Sequence, residues 1–231
     1  MLYVISLIVL LIFYVLGIIY LNRLKNTKLL NYIFPTVIFL CYISVVIRTF
    51  LVDGINDWNF RNTLPVANVS PFMFTLVAFI HLFPTKVKKH LYLLISLLSV
   101  GMLFSFVLGS LRNAIINYKF HLHFLLDYLA HVMLSLWGVY FIKTNQVKLT
   151  KRNVIISSSI IIGVAVIMLI LNVIFDTAFF GLSLYGKHSI YNNVLTSNSY
   201  LSTAIYFIGL IIILALGYAY SYLLKRKTLI K

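Results

Sequence analysis

The sequence is poor in acid, in cysteine and in charge of any kind. Its 231 residues include four Asp+Glu, one Cys and 10 % charged residues, against 62 % apolar ones. A soluble domain carries about 25 % charged residues, so this chain cannot clothe an ordinary aqueous surface. A single cysteine, Cys41, excludes a disulfide-stapled scaffold; it falls mid-span, where it reads as a small apolar filler. A full metal site needs three or four ligands. His121 and His123 are the nearest approach to one, and their spacing does not put them on one helix face. No metal and no cofactor is therefore expected. Phosphate-cradling glycine loops, zinc-hydrolase signatures and nucleophile elbows are also missing. Neither a domain boundary nor a low-complexity tract breaks the chain, so residues 1–231 read as one transmembrane helical domain.

What the sequence has instead is long apolar runs. A helix needs roughly 20 such residues to cross the hydrocarbon core, and seven segments qualify: Leu2–Leu21, Leu29–Val52, Thr63–Phe83, Leu91–Leu111, Leu122–Ile142, Val154–Ile174 and Tyr200–Leu224. None shows the alternation of a barrel strand. The expected fold is an all-α, polytopic bundle of about seven transmembrane helices. No basic residue precedes the first span, so a cleavable signal peptide is not expected.

Nineteen Lys+Arg leave a formal charge of +15. They sit in short clusters between apolar runs, which points to a membrane and away from nucleic acid. Fourteen fall in the loops after spans one, three and five and in the tail; Arg48, Arg61, Arg112, Lys119 and Lys187 lie opposite. The positive-inside bias then places the N-terminus outside and the C-terminus inside. The cytoplasmic cations meet anionic lipid headgroups, at about 1 kcal/mol each. An abundance of Ile, Leu, Lys, Asn and Tyr fits an AT-rich bacterial genome, and the expected location is a bacterial cell membrane.

All four acids, Asp53, Asp57, Asp127 and Asp176, fall at or beyond outer span ends. The outer half is therefore where specific polar chemistry is expected. Asp127, His131 and Ser135 follow at four-residue intervals and share a helix face. Ionisable residues within a span usually face the protein interior or a wet cavity and mark function. Asp127 orienting His131, with His131 as general base, is the sharpest reading. Asn68 and Ser70 on span three, Arg48 on span two, Arg112 on span four, and Asn172 with Asp176 at the end of span six lie at the same level. An arginine there snorkels to headgroups or clamps a phosphate or carboxylate. The small residues Gly101, Ser105 and Gly109, with Ala215/Ala219 and Gly217/Ser221, read as packing faces, internal or toward a membrane-protein partner. Most tyrosines and tryptophans read as interface anchors.

Seven spans, the Leu64-Pro65 entrance to span three, His131 within Leu129-Ala130-His131, and the segment Ala178-Phe179-Phe180-Gly181-Leu182 together resemble the YwaF-like integral membrane family. Its eukaryotic relatives include transmembrane acyltransferases acting on phospholipids. The resemblance implies a shared fold and lipid-directed acyl transfer or hydrolysis. The family's span-three pattern Leu-Pro-Leu-His-x-Cys reads here Leu64-Pro65-Val66-Ala67-Asn68-Val69, so neither its histidine nor its acyl-carrying cysteine is present. Three consequences stay open: a non-catalytic member, Ser70 as substitute nucleophile, or direct transfer with His131 as base. Transport, lipid binding and an accessory role in a membrane complex are the competing readings.

Overall fold

The computed structural model describes residues 2–21, 23, 28–55, 58–115, 122–175, 177, 179–182 and 199–229. In lipid only a helix satisfies the backbone of a lone segment, and the described residues hold helices and turns with no strand. In chain order these are α1 (Leu2–Leu21), α2 (Leu30–Asp53), α3 (Trp58–Thr63), α4 (Val69–Ala78), a 3₁₀ turn (Ile80–Leu82), α5 (Thr85–Ile115), α6 (Leu122–Lys143), α7 (Lys151–Phe175), a second 3₁₀ turn (Phe179–Gly181) and α8 (Ser199–Leu229). Helices α1, α2, α5, α6, α7 and α8 are long and apolar enough to cross a membrane. The protein is an all-α, multi-pass membrane bundle.

Helix α6 is its axis. Of its most apolar stretch 78 % is buried, against 17 % for α7, and it packs on α5, α2, α1 and α8. Trp137, Tyr140 and Phe141 lie wholly inside, with the Trp137 ring 4.8 Å from Phe141 and stacked on Phe34 at 6.3 Å. Trp137 is thus a core residue and not an interface anchor. The outward faces of α1, α7 and α8 keep Ile8, Leu16, Ile167, Ile170, Ile208 and Ile212 exposed, as a lipid-facing surface requires.

The end where α2 and α5 begin gathers polar contacts: Asn31 Nδ2 donates to Gln146 Oε1 (3.3 Å), and His90 Nδ1 lies 3.3 Å from Ser157 Oγ. Lys86, Lys88, Lys89, Lys148, Lys151 and Arg152 are at this end, so the cationic loops do share one side of the bundle. Asp53, Arg112 and Asp127 are at the other.

Helices α5 and α8 form a V. At its closed end the α8 backbone lies against α5: a Cβ on Gly217 would overlap the Leu97 carbonyl, and one on Gly101 would come within 2.5 Å of Ile213 Cγ2. Only glycine permits such an approach. At Gly209 a Cβ would meet nothing within 4 Å, so the helices have parted two turns on. Gly217 and Ser221 face inward, whereas Ala215 and Ala219 are exposed; only one of α8's two small-residue faces packs within the chain.

The largest departure from expectation is span three. The single helix Thr63–Phe83 is instead α3, a turn, the ten-residue α4 and a 3₁₀ turn. Pro65 has no amide to donate and disfavours a helical Leu64. The chain turns at Leu64–Ala67, where Ala67 N donates to Leu64 O at 2.9 Å. Asn68 is then extended (φ −148°, ψ 165°) before α4 begins. The segment still doubles back along α2: Phe60 lies against Phe50, Tyr42 Oη donates to Thr63 O (2.8 Å), and His81 stacks on Tyr32 with its Nε2 3.2 Å from Asn31 O. With ~1.5 Å rise per residue, α4 covers only about 15 Å.

Candidate functional site

An interrupted helix at membrane depth survives only where its free backbone groups find partners or line a cavity. Here the partner comes from beyond α7. Phe180 N donates to Val66 O at 2.8 Å, and the Phe180 ring meets Phe72 edge-on at 5.6 Å. Phe180 is fully buried and has φ 58°, a left-handed conformation that costs a non-glycine residue about 1–3 kcal/mol. Asn172 holds it there. Its Nδ2 donates to Phe179 O (2.9 Å) and Leu182 O (2.6 Å), while its Oδ1 accepts from Phe179 N (2.6 Å) and Thr177 Oγ1 (2.9 Å). Two donors and two acceptor sites are a primary amide's full capacity.

The interruption delivers Ser70, in the first turn of α4, to His131 of α6. His131 Nδ1 lies 2.8 Å from the main-chain oxygen of Asp127. A carbonyl only accepts, so Nδ1 carries the proton; in the neutral ring Nε2 is then the acceptor. Ser70 Oγ, 3.0 Å away, donates to it. Phe74 presses on the imidazole edge-on with centroids 5.0 Å apart, and His131 is 6 % exposed. The Asp127 carboxylate stands 3.8 Å from Nδ1. It is the aspartate's backbone, rather than its side chain, that fixes the tautomer.

The pair opens on a cavity of about 650 Å³ between α4, α5, α6 and α8, within the range of ligand sites. Its wall brings together Asn68, Ser70, Arg112, Asp127 and His131, five residues that the sequence places on three different spans. Ser202, 4 % exposed, adds a hydroxyl without a hydrogen-bond partner. Gly101, Ser105 and Gly109 line the same cavity, so the small-residue face of α5, which packs on Ile213 at Gly101 and beside Tyr128 at Gly109, is also a cavity wall. A second cavity of about 200 Å³ adjoins, with Asn62, Pro71, Phe124 and Asp127 common to both.

The remaining candidates lie elsewhere. Arg48 pairs with Asp53 (3.7 Å) outside both cavities. Asn172 spends its amide on the 177–182 turn. Ser135 donates to Tyr14 Oη (3.2 Å) and does not line the cavity. Asp176 lies outside the described residues.

Depth is also measurable. Ser70 Oγ is 3.7 Å from Met102 Sδ. Arg112 stands ten positions farther along α5, a rise of about 15 Å, and Lys89 is about 20 Å the other way. The Ser70–His131 pair thus sits near the middle of the span. Sequence reasoning missed Ser202, a lone hydroxyl among many in apolar helices, and Phe180, whose role depends on a backbone contact. No family model matches the chain, and neither a curated protein nor a solved structure matches it.

Proposed function

We propose that this chain is a membrane-embedded acyltransferase or acyl hydrolase, with Ser70 as nucleophile and His131 as its general base. The observation that carries it is the 3.0 Å contact from Ser70 Oγ to a histidine whose other nitrogen is tied to a carbonyl. Nucleophile, base and orienting group in series are the arrangement that activates a hydroxyl. As Oγ attacks an acyl carbon, its proton passes to His131 Nε2. The bond to the leaving oxygen or sulfur breaks, and His131 returns that proton to the leaving group. A hydroxyl, amine or water then takes the acyl group from Ser70 by the reverse relay. The amides of Val69 and Ser70, unpaired by the helix at its first turn, are available for the oxyanion. The YwaF-like resemblance agrees in reaction class, with Ser70 one position after that family's cysteine.

Purified protein in nanodiscs treated with an activated acyl ester should gain one acyl mass on the peptide bearing Ser70, and Ser70→Ala should gain none there. An unmodified peptide, or equal labelling of the variant, overturns the assignment. Transport is the second reading, favoured by a helix interrupted beside a cavity; solute uptake into proteoliposomes without Ser70 acylation would select it. We assign the cationic end to the cytoplasm on the positive-inside bias. Reporter fusions after Arg226 should then report inside and fusions after Ile55 outside; the opposite pair reverses the topology.

A further inference from the structure

The position of the reactive pair within its cavity restricts what it can accept. From Arg112 down to Met102 the cavity extends for about 15 Å along α5. Beyond Met102 it ends almost at once. Leu98, one turn farther, is its last α5 residue, and the V closes where Ile213 covers Gly101. A turn is about 5.4 Å. The space is long on the Arg112 side of Ser70 and short on the other.

Two features mark the long side as the place of a polar, anionic carrier. Arg112 and the buried, unpartnered Ser202 hydroxyl both line it. They are also at one level: α8 runs antiparallel to α5, with 217 against 97 and 213 against 101, which puts 202 opposite 112. A bilayer lipid fits poorly. Half the hydrocarbon core is about 15 Å, so an ester held at the headgroup level stays a full leaflet away from Ser70.

Resting on the Ser70–His131 reading, we propose that the group transferred is a short acyl chain of a few carbons. Its carrier is extended and anionic, and enters from the Arg112 end. Leu98 and Ile213 form the stop that sets chain length. A longer chain would have to displace Ile213 from the Gly101 backbone or fold back past Met102.

The test is the rate of mass gain at Ser70 in nanodiscs with p-nitrophenyl acetate, butyrate and palmitate, subtracting Ser70→Ala. Acetate and butyrate should acylate at least about tenfold faster than palmitate, the scale on which pockets discriminate methylene groups. Ile213→Ala and Leu98→Ala should each raise the palmitate-to-acetate ratio; Ile213→Val, which leaves the α5–α8 contact largely filled, should do so less. With acetyl-coenzyme A as an anionic donor, Arg112→Gln should lower its rate relative to p-nitrophenyl acetate by about tenfold, as for a lost charged hydrogen bond. Palmitate equal to acetate, or ratios unmoved in both Leu98→Ala and Ile213→Ala, overturns the chain-length stop and leaves Ser70 as nucleophile. An unmoved donor ratio in Arg112→Gln overturns the anionic carrier. Wild type unlabelled by every ester overturns the nucleophile itself, and the inference with it.

Discussion

Replacing His131 by alanine is expected to slow acylation of Ser70 by about 10²–10⁴-fold, the usual worth of a general base. The serine would remain in the first turn of α4, beside Met102, but its hydroxyl would lose the acceptor at 3.0 Å. Asp127→Asn is the informative companion. Where an aspartate side chain holds the histidine tautomer, the amide variant can cost about 10⁴-fold. Here Nδ1–H is held at 2.8 Å by the residue's carbonyl, which any side chain leaves in place. The carboxylate is 3.8 Å from Nδ1 and its side chain is 38 % exposed. Its loss should therefore cost no more than about tenfold, the range of a weak, partly solvated pairing with the imidazolium that forms as Ser70 attacks. Time courses of mass gain at Ser70 decide both. Wild-type rates in His131→Ala would remove the histidine from the mechanism, and an Asp127→Asn defect as deep as that of His131→Ala would return the role to the carboxylate.

The contrast between those two variants shows what a sequence can carry. Helical periodicity put Asp127 and His131 on one face, and the structure keeps them there. Periodicity names side chains, however, and the group that matters at position 127 is a main-chain oxygen that every residue has. The same distinction runs through the fold. Six spans are legible because length and hydropathy decide them. Span three has the same composition, but Pro65 and the partner at Phe180 divide it, and a partner more than a hundred residues away leaves no local trace. The meeting of Ser70 with His131 follows from that division: the turn at Leu64–Ala67 sets where α4 begins and so where its first-turn serine points. Arg112 and Asn68 were legible as polar residues near a span end. Their shared cavity, and the absence of Arg48 from it, depend on which helices pack together, a matter on which nearly uniform apolar faces say little.

Asn172→Leu is expected to be the most damaging change outside the cavity, for stability and for reaction together. The substitution keeps the branched heavy-atom skeleton but removes four hydrogen bonds. It strands the Leu182 carbonyl and the Phe179 amide in a site where Asn172 is 2 % exposed, and leaves the Phe179 carbonyl with only its bond from Leu182 N (3.1 Å). Buried groups left unpaired cost about 1–3 kcal/mol each, so a loss of about 2 kcal/mol or more in unfolding stability should appear in thermal melts of the nanodisc-embedded protein. Thr177→Val, which removes one of the four bonds, should cost about 1 kcal/mol. The consequence for reaction is indirect. Without Asn172, little opposes relaxation of Phe180 from its left-handed conformation, and its amide leaves Val66 O. The turn before α4 then loses the contact that fixes its path, and Ser70 moves relative to His131. A displacement of about 1 Å at a reacting group costs on the order of 10²-fold. Ser70 acylation should fall by that order below the melting temperature, while Thr177→Val stays near wild type. An Asn172→Leu protein that melts like wild type would show that the 177–182 turn does not hold the interruption, and one that is destabilised yet acylates normally would show that α4 keeps Ser70 in place unaided.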